Sequence, residues 1–242
     1  MGGDNAPDAN LLGAFLAYKE LNSNEKIVLV GDEDLAHRWF SSNKIDATLF
    51  EYIHSDQVIL MNEHATKAIR KKPNNSISVG FKALKNNEID VFSSSGNSGA
   101  MLVGSMFSIG PIKGVIRPGI TSILPKENGG VGLILDVGVN ADCKPDVLFQ
   151  FAILGSLFAE NVYNIHSPKV GLLNIGEEKG KGNLLTQATY QLLEDNEDIN
   201  FIGNVEGRDL FTEKADIIVC DGFTGNVAVS YTHLRAHETS LH

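Results

Sequence analysis

Short apolar runs alternate along the chain with stretches whose apolar residues recur at helical spacing. Runs bounded by Gly, Asp or Asn predict buried strands at residues 27–30 (IVLV), 48–53, 89–92, 120–124, 131–135, 170–173, 201–202 and 217–220. Leu11, Leu12, Phe15 and Leu16 share one helical face, and further helices are expected over 76–87, 101–107, 145–159 and 184–193. Strands alternating with helices in this way argue for a mainly parallel sheet covered on both faces, within a single α/β catalytic domain over 1–229. No 20- to 50-residue period points to a repeat fold.

The pattern is interrupted at both ends. A glycine loop, MGGD, opens the first helix with no strand before it, so the native chain is expected to begin several residues earlier. At the other end, SYTHLRAHETSLH (230–242) has no apolar periodicity, although His233 and His237 stand at i, i+4. Its LRAHET core resembles translated adapter sequence, so 230–242 is set aside as a non-native tail, with a native C-terminal portion expected beyond Val229.

Composition narrows the function. The 242 residues are 43% hydrophobic, enough for a sizeable core and against disorder. A net charge of −10 excludes a general nucleic-acid binder, which needs clustered Lys and Arg. Cys143 and Cys220 cannot build a disulfide framework; Cys220 closes an apolar run and is expected to be buried and unreactive, as in a reducing cytoplasm. No apolar stretch approaches a membrane span, and the N-terminus lacks the regions of a signal peptide, which leaves peripheral membrane contact open.

Candidate chemistry lies in three small-residue loops at strand ends: SSSGNSGA (93–100), NIGEEKGKGN (174–183) and DGFTGN (221–226). Such loops let a ligand approach the backbone, and a following helix directs free N–H groups at an anion. Other readings of them fail. Ser98 does not sit in a G-x-S-x-G elbow, because the second glycine comes at Gly99, one residue early. The 176–181 segment is one residue short of a Walker A loop, with Gly182 where Ser or Thr would hold magnesium. Neither G-x-G-x-x-G, HExxH nor paired-cysteine spacing occurs, so no cofactor and no metal is expected. What remains is an anion pocket with one or two lysines in reach. Lys67, Arg70, Lys71 and Lys72 form the densest basic cluster, either a solvated helix end or a dock for an acidic partner.

MGGDNAPD, SSSGNSGA, Arg117-Pro118, LDVGVNADCKP, VGLLNIGEEKGKGN, NFIGNVEGRD and DGFTGNV stand in the order found in the bacterial phosphate acyltransferase (PlsX) family, which the chain resembles from Met1 to about Val229. The resemblance implies a Rossmann-like α/β/α sandwich of the phosphotransacetylase/isopropylmalate dehydrogenase type. It implies a cytoplasmic homodimer, peripherally associated with the membrane, that converts acyl-[acyl carrier protein] and inorganic phosphate into acyl phosphate for phospholipid synthesis. The acyl phosphate then feeds the first acylation of glycerol 3-phosphate. Alternatives are a phosphotransacetylase acting on acyl-CoA and a non-catalytic scaffold of lipid-synthesis enzymes at the membrane. The resemblance points to Lys181 and Asn226 as catalytic, with Gly96, Asn97, Ser98, Gly99, Asn174, Glu177, Thr224 and Gly225 contacting phosphate or substrate. Lys67, Arg70, Lys71 and Lys72 would then dock the acyl carrier protein, and His54 and Glu177 read as structural rather than catalytic.

Overall fold

A computed structural model describes residues 2–238, with side chains through Ser230. The chain forms two compact units, Met1–Ile112 and Lys113–His242.

In the first unit, helix α1 (Asp8–Tyr18) precedes strand β1 (Val28–Gly31), helix α2 (Glu33–Ser42) and strand β2 (Glu51–His54). The two strands pair in parallel, Val28 opposite Glu51 and Gly31 opposite His54. Asp32 starts α2 by accepting the Leu35 N–H at 2.9 Å. Leu11, Ala36, Phe40 and Phe50 form the core beneath, with Phe40 and Phe50 stacked at 4.7 Å. A second core, Ile59, Ala68, Ile77, Phe81 and Ala100, joins helices α3 (Ala65–Lys71), α4 (Ser76–Lys85) and α5 (Ser98–Ser108). The strand expected at 89–92 does not form. β1 pairs with β2 alone, and a groove of about 930 Å³ is lined by β1 and the 88–95 segment, so the latter has no ladder partner. Its Phe92 packs edge-on against Phe81 instead.

The second unit carries a five-stranded sheet. Strands β3 (Thr121–Pro125), β4 (Val131–Leu135), β5 (Val170–Leu173), β6 (Phe201–Val205) and β7 (Ile217–Val219) lie in the order β3-β4-β7-β5-β6. Only β3 runs antiparallel. The sequences VGLIL, VGLL and IIV are apolar throughout because both faces are covered, and alternate residues serve opposite faces. Leu133, Leu135, Ile217 and Val219 meet Val147, Leu148, Phe151 and Ala152 of helix α6 (Pro145–Tyr163) and Leu193 of helix α7 (Leu184–Glu194). Ile134 and Ile218 turn the other way, to Leu124, Val205, Leu210 and Val229, the last on helix α8 (Gly222–Glu238). The 230–242 run lies, from Tyr231 on, outside the residues whose side chains are described.

The parallel strands β4, β7, β5 and β6 all end on one edge of this sheet. There the chain turns into DVGVN after β4, DGFTGN after β7, NIGEEKGKGN after β5 and EGRD after β6. Ligands in open α/β sheets bind along that edge.

Candidate active site

The loop after β5 is anchored before it becomes exposed. The Asn174 N–H donates to the Val205 carbonyl at 2.8 Å, extending the β5–β6 ladder by one bond. The Asn174 side chain accepts the Ile175 N–H (2.8 Å) and donates to the Lys181 carbonyl and to Asn204 Oδ1, both at 3.1 Å. A tight turn follows, closed by the Lys181 N–H on the Glu178 carbonyl at 3.0 Å. Gly182 then adopts φ +91°, and a Cβ there would lie 2.1 Å from Thr186 Oγ1 and 2.4 Å from Asn174 Oδ1, so only glycine fits. Asn183 caps α7 by accepting the Thr186 N–H at 2.9 Å.

This geometry distinguishes the two lysines of the loop. Lys179 is ion-paired with Glu194. Lys181 is exposed and has no ion-pair partner among the described residues. Glu177 faces away from such a role, since its carboxylate takes the Lys214 ammonium at 2.6 Å with Arg208 at 3.9 Å. Lys214 also holds Asp209 at 2.8 Å, and these two carboxylates keep its ammonium above the ordinary lysine range. Burial alone would raise Asp209, but Lys214 and the Glu206 N–H outweigh it and hold the carboxyl below the usual range.

On the neighbouring strand β7, the chain leaves through Asp221. Its carboxylate accepts the Thr224 N–H at 2.8 Å and the Thr224 hydroxyl at 2.9 Å, and its carbonyl accepts the Gly225 N–H at 3.0 Å. Thr224 and Gly225 therefore use their N–H groups to start α8. Asn226, in the next position, is exposed, and its side chain has no hydrogen-bond partner among the described residues. Gly225 fits closely over the end of β4: a Cβ would lie 2.0 Å from the Asp136 carbonyl oxygen. Asp136 is itself fully buried. Its carboxylate accepts the Ile120 N–H at 2.8 Å and two donors of Asn140, backbone (2.7 Å) and side chain (2.8 Å), which together make a buried anion tolerable. β5 and β7 are adjacent parallel strands, so the segments carrying Lys181 and Asn226 both begin at the same carboxyl edge of the sheet.

In the first unit, Asn97 caps α5 through the Ala100 N–H at 3.0 Å and donates to the carbonyls of Leu60, Met61 and Glu63 at 3.0 to 3.2 Å. Its side chain is thus committed to structure. The Gly96 N–H donates to Ser94 Oγ at 3.1 Å, while Ser98 is exposed at the start of α5, where it and Gly99 hold the first N–H groups of the helix. Of the basic cluster, Lys72 is bound to Glu63 (2.6 Å) and to the Val58 carbonyl (2.7 Å), whereas Lys67, Arg70 and Lys71 are exposed on α3 with no ion-pair partner among the described residues. His54 ends β2, exposed. Burial, reinforced by the Asp136 and Asp221 charges, pushes the Cys143 thiol up to about 11, and Cys220 is pushed up for the same reason. Neither thiol is activated for attack.

Several residues that shape this edge were not singled out from sequence: Asp136 and Asn140, Asn204, the Asp209–Lys214 pair and Asp221. The available signals were a carboxylate directly after a buried strand (LILD) and an amide inside an apolar one (FIGNV).

Fold and site together describe an α/β protein of phosphotransacetylase-like architecture, with exposed polar residues following the carboxyl ends of its parallel strands. The structure of a branched-chain phosphotransacylase from Enterococcus faecalis V583 aligns over 98% of this chain and 83% of its own, with TM-score 0.66 at 17% identity. EutD phosphotransacetylase from Staphylococcus aureus aligns over 98% and 82%, with TM-score 0.63 at 14% identity. The Fatty acid synthesis protein family matches residues 1–239, and the chain belongs to it. It is 46% identical over 229 residues to the phosphate acyltransferase of Dictyoglomus thermophilum, covering 95% of this chain and 68% of that one. With the phosphate acyltransferase of Acetivibrio thermocellus it shares 46% over 231 residues, 96% of this chain and 67% of that one. The chain thus spans about two thirds of the length of these relatives.

Proposed function

We propose that this acyltransferase moves the acyl group of acyl-[acyl carrier protein] onto inorganic phosphate, with Lys181 and Asn226 as its catalytic residues. The observation that carries the assignment is an exposed lysine lacking an ion-pair partner, on the loop after β5, and an exposed amide lacking a hydrogen-bond partner, in the first turns of α8 after the adjacent β7, among the described residues and both following strands that end at the edge where ligands bind in such sheets. Phosphate oxygen is already nucleophilic, so the reaction needs no serine or cysteine intermediate. A phosphate oxygen attacks the thioester carbonyl carbon, a C–O bond forms, and the tetrahedral oxyanion collapses with cleavage of the C–S bond. The carrier's thiolate leaves and takes a proton from solvent.

What the protein must supply is position and charge. Lys181 offsets the phosphate dianion as a point charge on a flexible stem. Asn226 donates a hydrogen bond to the developing oxyanion. The open N–H groups of Ser98 and Gly99 offer an anion contact of their own. Lys67, Arg70 and Lys71 present positive charge suited to an acidic carrier protein. By family resemblance, the working form is a cytoplasmic homodimer with peripheral membrane contact; no helix among the described residues is long and apolar enough to cross a membrane.

Lys181→Ala and Asn226→Ala should each keep the fold and lower phosphate-dependent acyl phosphate formation by about 10² to 10³, the usual loss for one transition-state donor. Wild-type rates in both variants would remove the assignment. Acyl-CoA offered beside acyl-[acyl carrier protein] in the same assay decides which thioester the enzyme prefers.

A further inference from the structure

The turn that carries Lys181 is held by an amide that the sequence places 23 positions further on, in the middle of an apolar strand. Asn204 is only 3% exposed, in β6, opposite Leu172. Its Nδ2 donates to the Glu178 carbonyl at 2.9 Å, and its Oδ1 accepts from Asn174 Nδ2 at 3.1 Å. Asn174 Nδ2 in turn donates to the Lys181 carbonyl at 3.1 Å. The turn is closed by the Lys181 N–H on the Glu178 carbonyl, so the carbonyls at its two ends are each gripped by one member of an asparagine pair rooted in the sheet. An aliphatic residue at position 204 would suit an apolar strand, because a buried amide is tolerable only when its bonds are made. Both polar atoms of the amide are instead bonded, and two of the three side-chain bonds in this relay end on the Lys181 turn.

We propose that Asn204, through Asn174, is the positioning residue that sets where the Lys181 ammonium stands above the sheet edge. The inference rests on the reading of Lys181 as the phosphate ligand. Asn204 does not touch substrate; it determines the turn from which Lys181 reaches. Its loss leaves the Glu178 carbonyl with the Lys181 N–H alone and loosens the Asn174 amide, while the β4, β7 and β5 core stays in place.

The test uses Asn204→Asp, which keeps the side-chain shape but sets an oxygen against the Glu178 carbonyl, alongside Asn174→Ala, which breaks the pair from its less buried end. Both are expected to raise KM for phosphate about tenfold, the effect of one lost buried hydrogen bond, and to leave KM for the acyl donor unchanged. Hydrogen–deuterium exchange should quicken across 175–182 and stay at the wild-type rate across 131–135 and 217–219. Should Asn204→Asp not fold, Asn174→Ala carries the same measurements. Wild-type KM for phosphate and wild-type exchange in the loop, with Lys181→Ala still impaired, overturn the positioning role alone. Wild-type rates in Lys181→Ala remove the phosphate reading and this role with it.

Discussion

Replacing Gly225 by alanine tests whether the contact between α8 and the end of β4 sets the position of Asn226. The added Cβ would lie 2.0 Å from the Asp136 carbonyl oxygen and 3.0 Å from Cys220 Sγ. An ordinary contact of this kind needs roughly 3.4 Å, so the backbones must part by more than about 1 Å. Asp136 has little freedom to yield. Its N–H donates to the Cys220 carbonyl at 2.9 Å, and its carboxylate is held by Ile120 and Asn140. The first turn of α8 must move instead, pulling Val229 from its core cluster and displacing Asn226, the next residue. Overpacking against fixed backbone costs about 3 kcal/mol, the upper part of the usual range. With a urea m-value of about 1–3 kcal/mol/M, the midpoint should fall by roughly 1–3 M. Under the role proposed for Asn226, displacing its amide by about 1 Å should also lower the rate by about 10². The control is Gly180→Ala, whose Cβ would meet nothing within 4 Å and should shift stability by no more than about 0.5 kcal/mol. Urea titration followed by circular dichroism, with the acyl phosphate assay, reads both effects. An unchanged midpoint and wild-type activity for Gly225→Ala would refute the reasoning.

Three further outcomes are expected. Lys126 Nζ lies 2.5 Å from Asp216 Oδ1, with 7% and 20% of the side chains exposed, so Lys126→Ala strands a mostly buried carboxylate and should cost about 3 kcal/mol in urea unfolding; a loss below about 1 kcal/mol contradicts this. Because the folded state depresses the Asp209 pKa, its stabilising contribution is present above the ordinary carboxylate value of about 3.9 and disappears as pH falls through the depressed value. Asp209→Asn should therefore lose less urea midpoint than wild type on acidification below about pH 4, and identical acid limbs would count against the pair. Reversing Lys67, Arg70 and Lys71 to glutamate should raise KM for acyl-[acyl carrier protein] and flatten its salt dependence, whereas unchanged values would leave α3 a solvated helix end.

The sequence made the second unit's sheet legible because strands buried on both faces must be apolar at every position. The run 131–135 was read to the residue as β4, and 170–173 as β5. Loop positions followed, since strand ends locate them. One other feature was local in origin yet easily passed over. Helix α2 begins with Asp32-Glu33-Asp34, an acidic cap preceding Leu35, Ala36, Trp39 and Phe40, but lies in a short interval between two strands. The 89–92 segment has the composition of a strand, yet a strand exists only through its neighbour. Nonlocal bonds were out of reach altogether. Asn97 reads as a turn residue in SSSGNSGA, and only the fold brings it to three carbonyls more than thirty positions earlier. Asn204 likewise reads as a lone amide until Asn174 and Glu178 are placed beside it. Lys181 and Asn226 were marked by resemblance; the structure adds the reason Lys179 and Glu177 differ from them, which is that both are already engaged in ion pairs.

The two outer strands of the five-stranded sheet have a bearing on how the protein avoids aggregation. β3 and β6 each pair on one side only among the described residues. A flat, regular edge invites a strand from another molecule. β3 ends in Pro125, which offers no N–H, and β6 contains Gly203 at φ +94° beside a break in register with β5. Both edges are therefore poor templates for a sixth strand. Addition of a strand from another copy to either edge is thereby disfavoured.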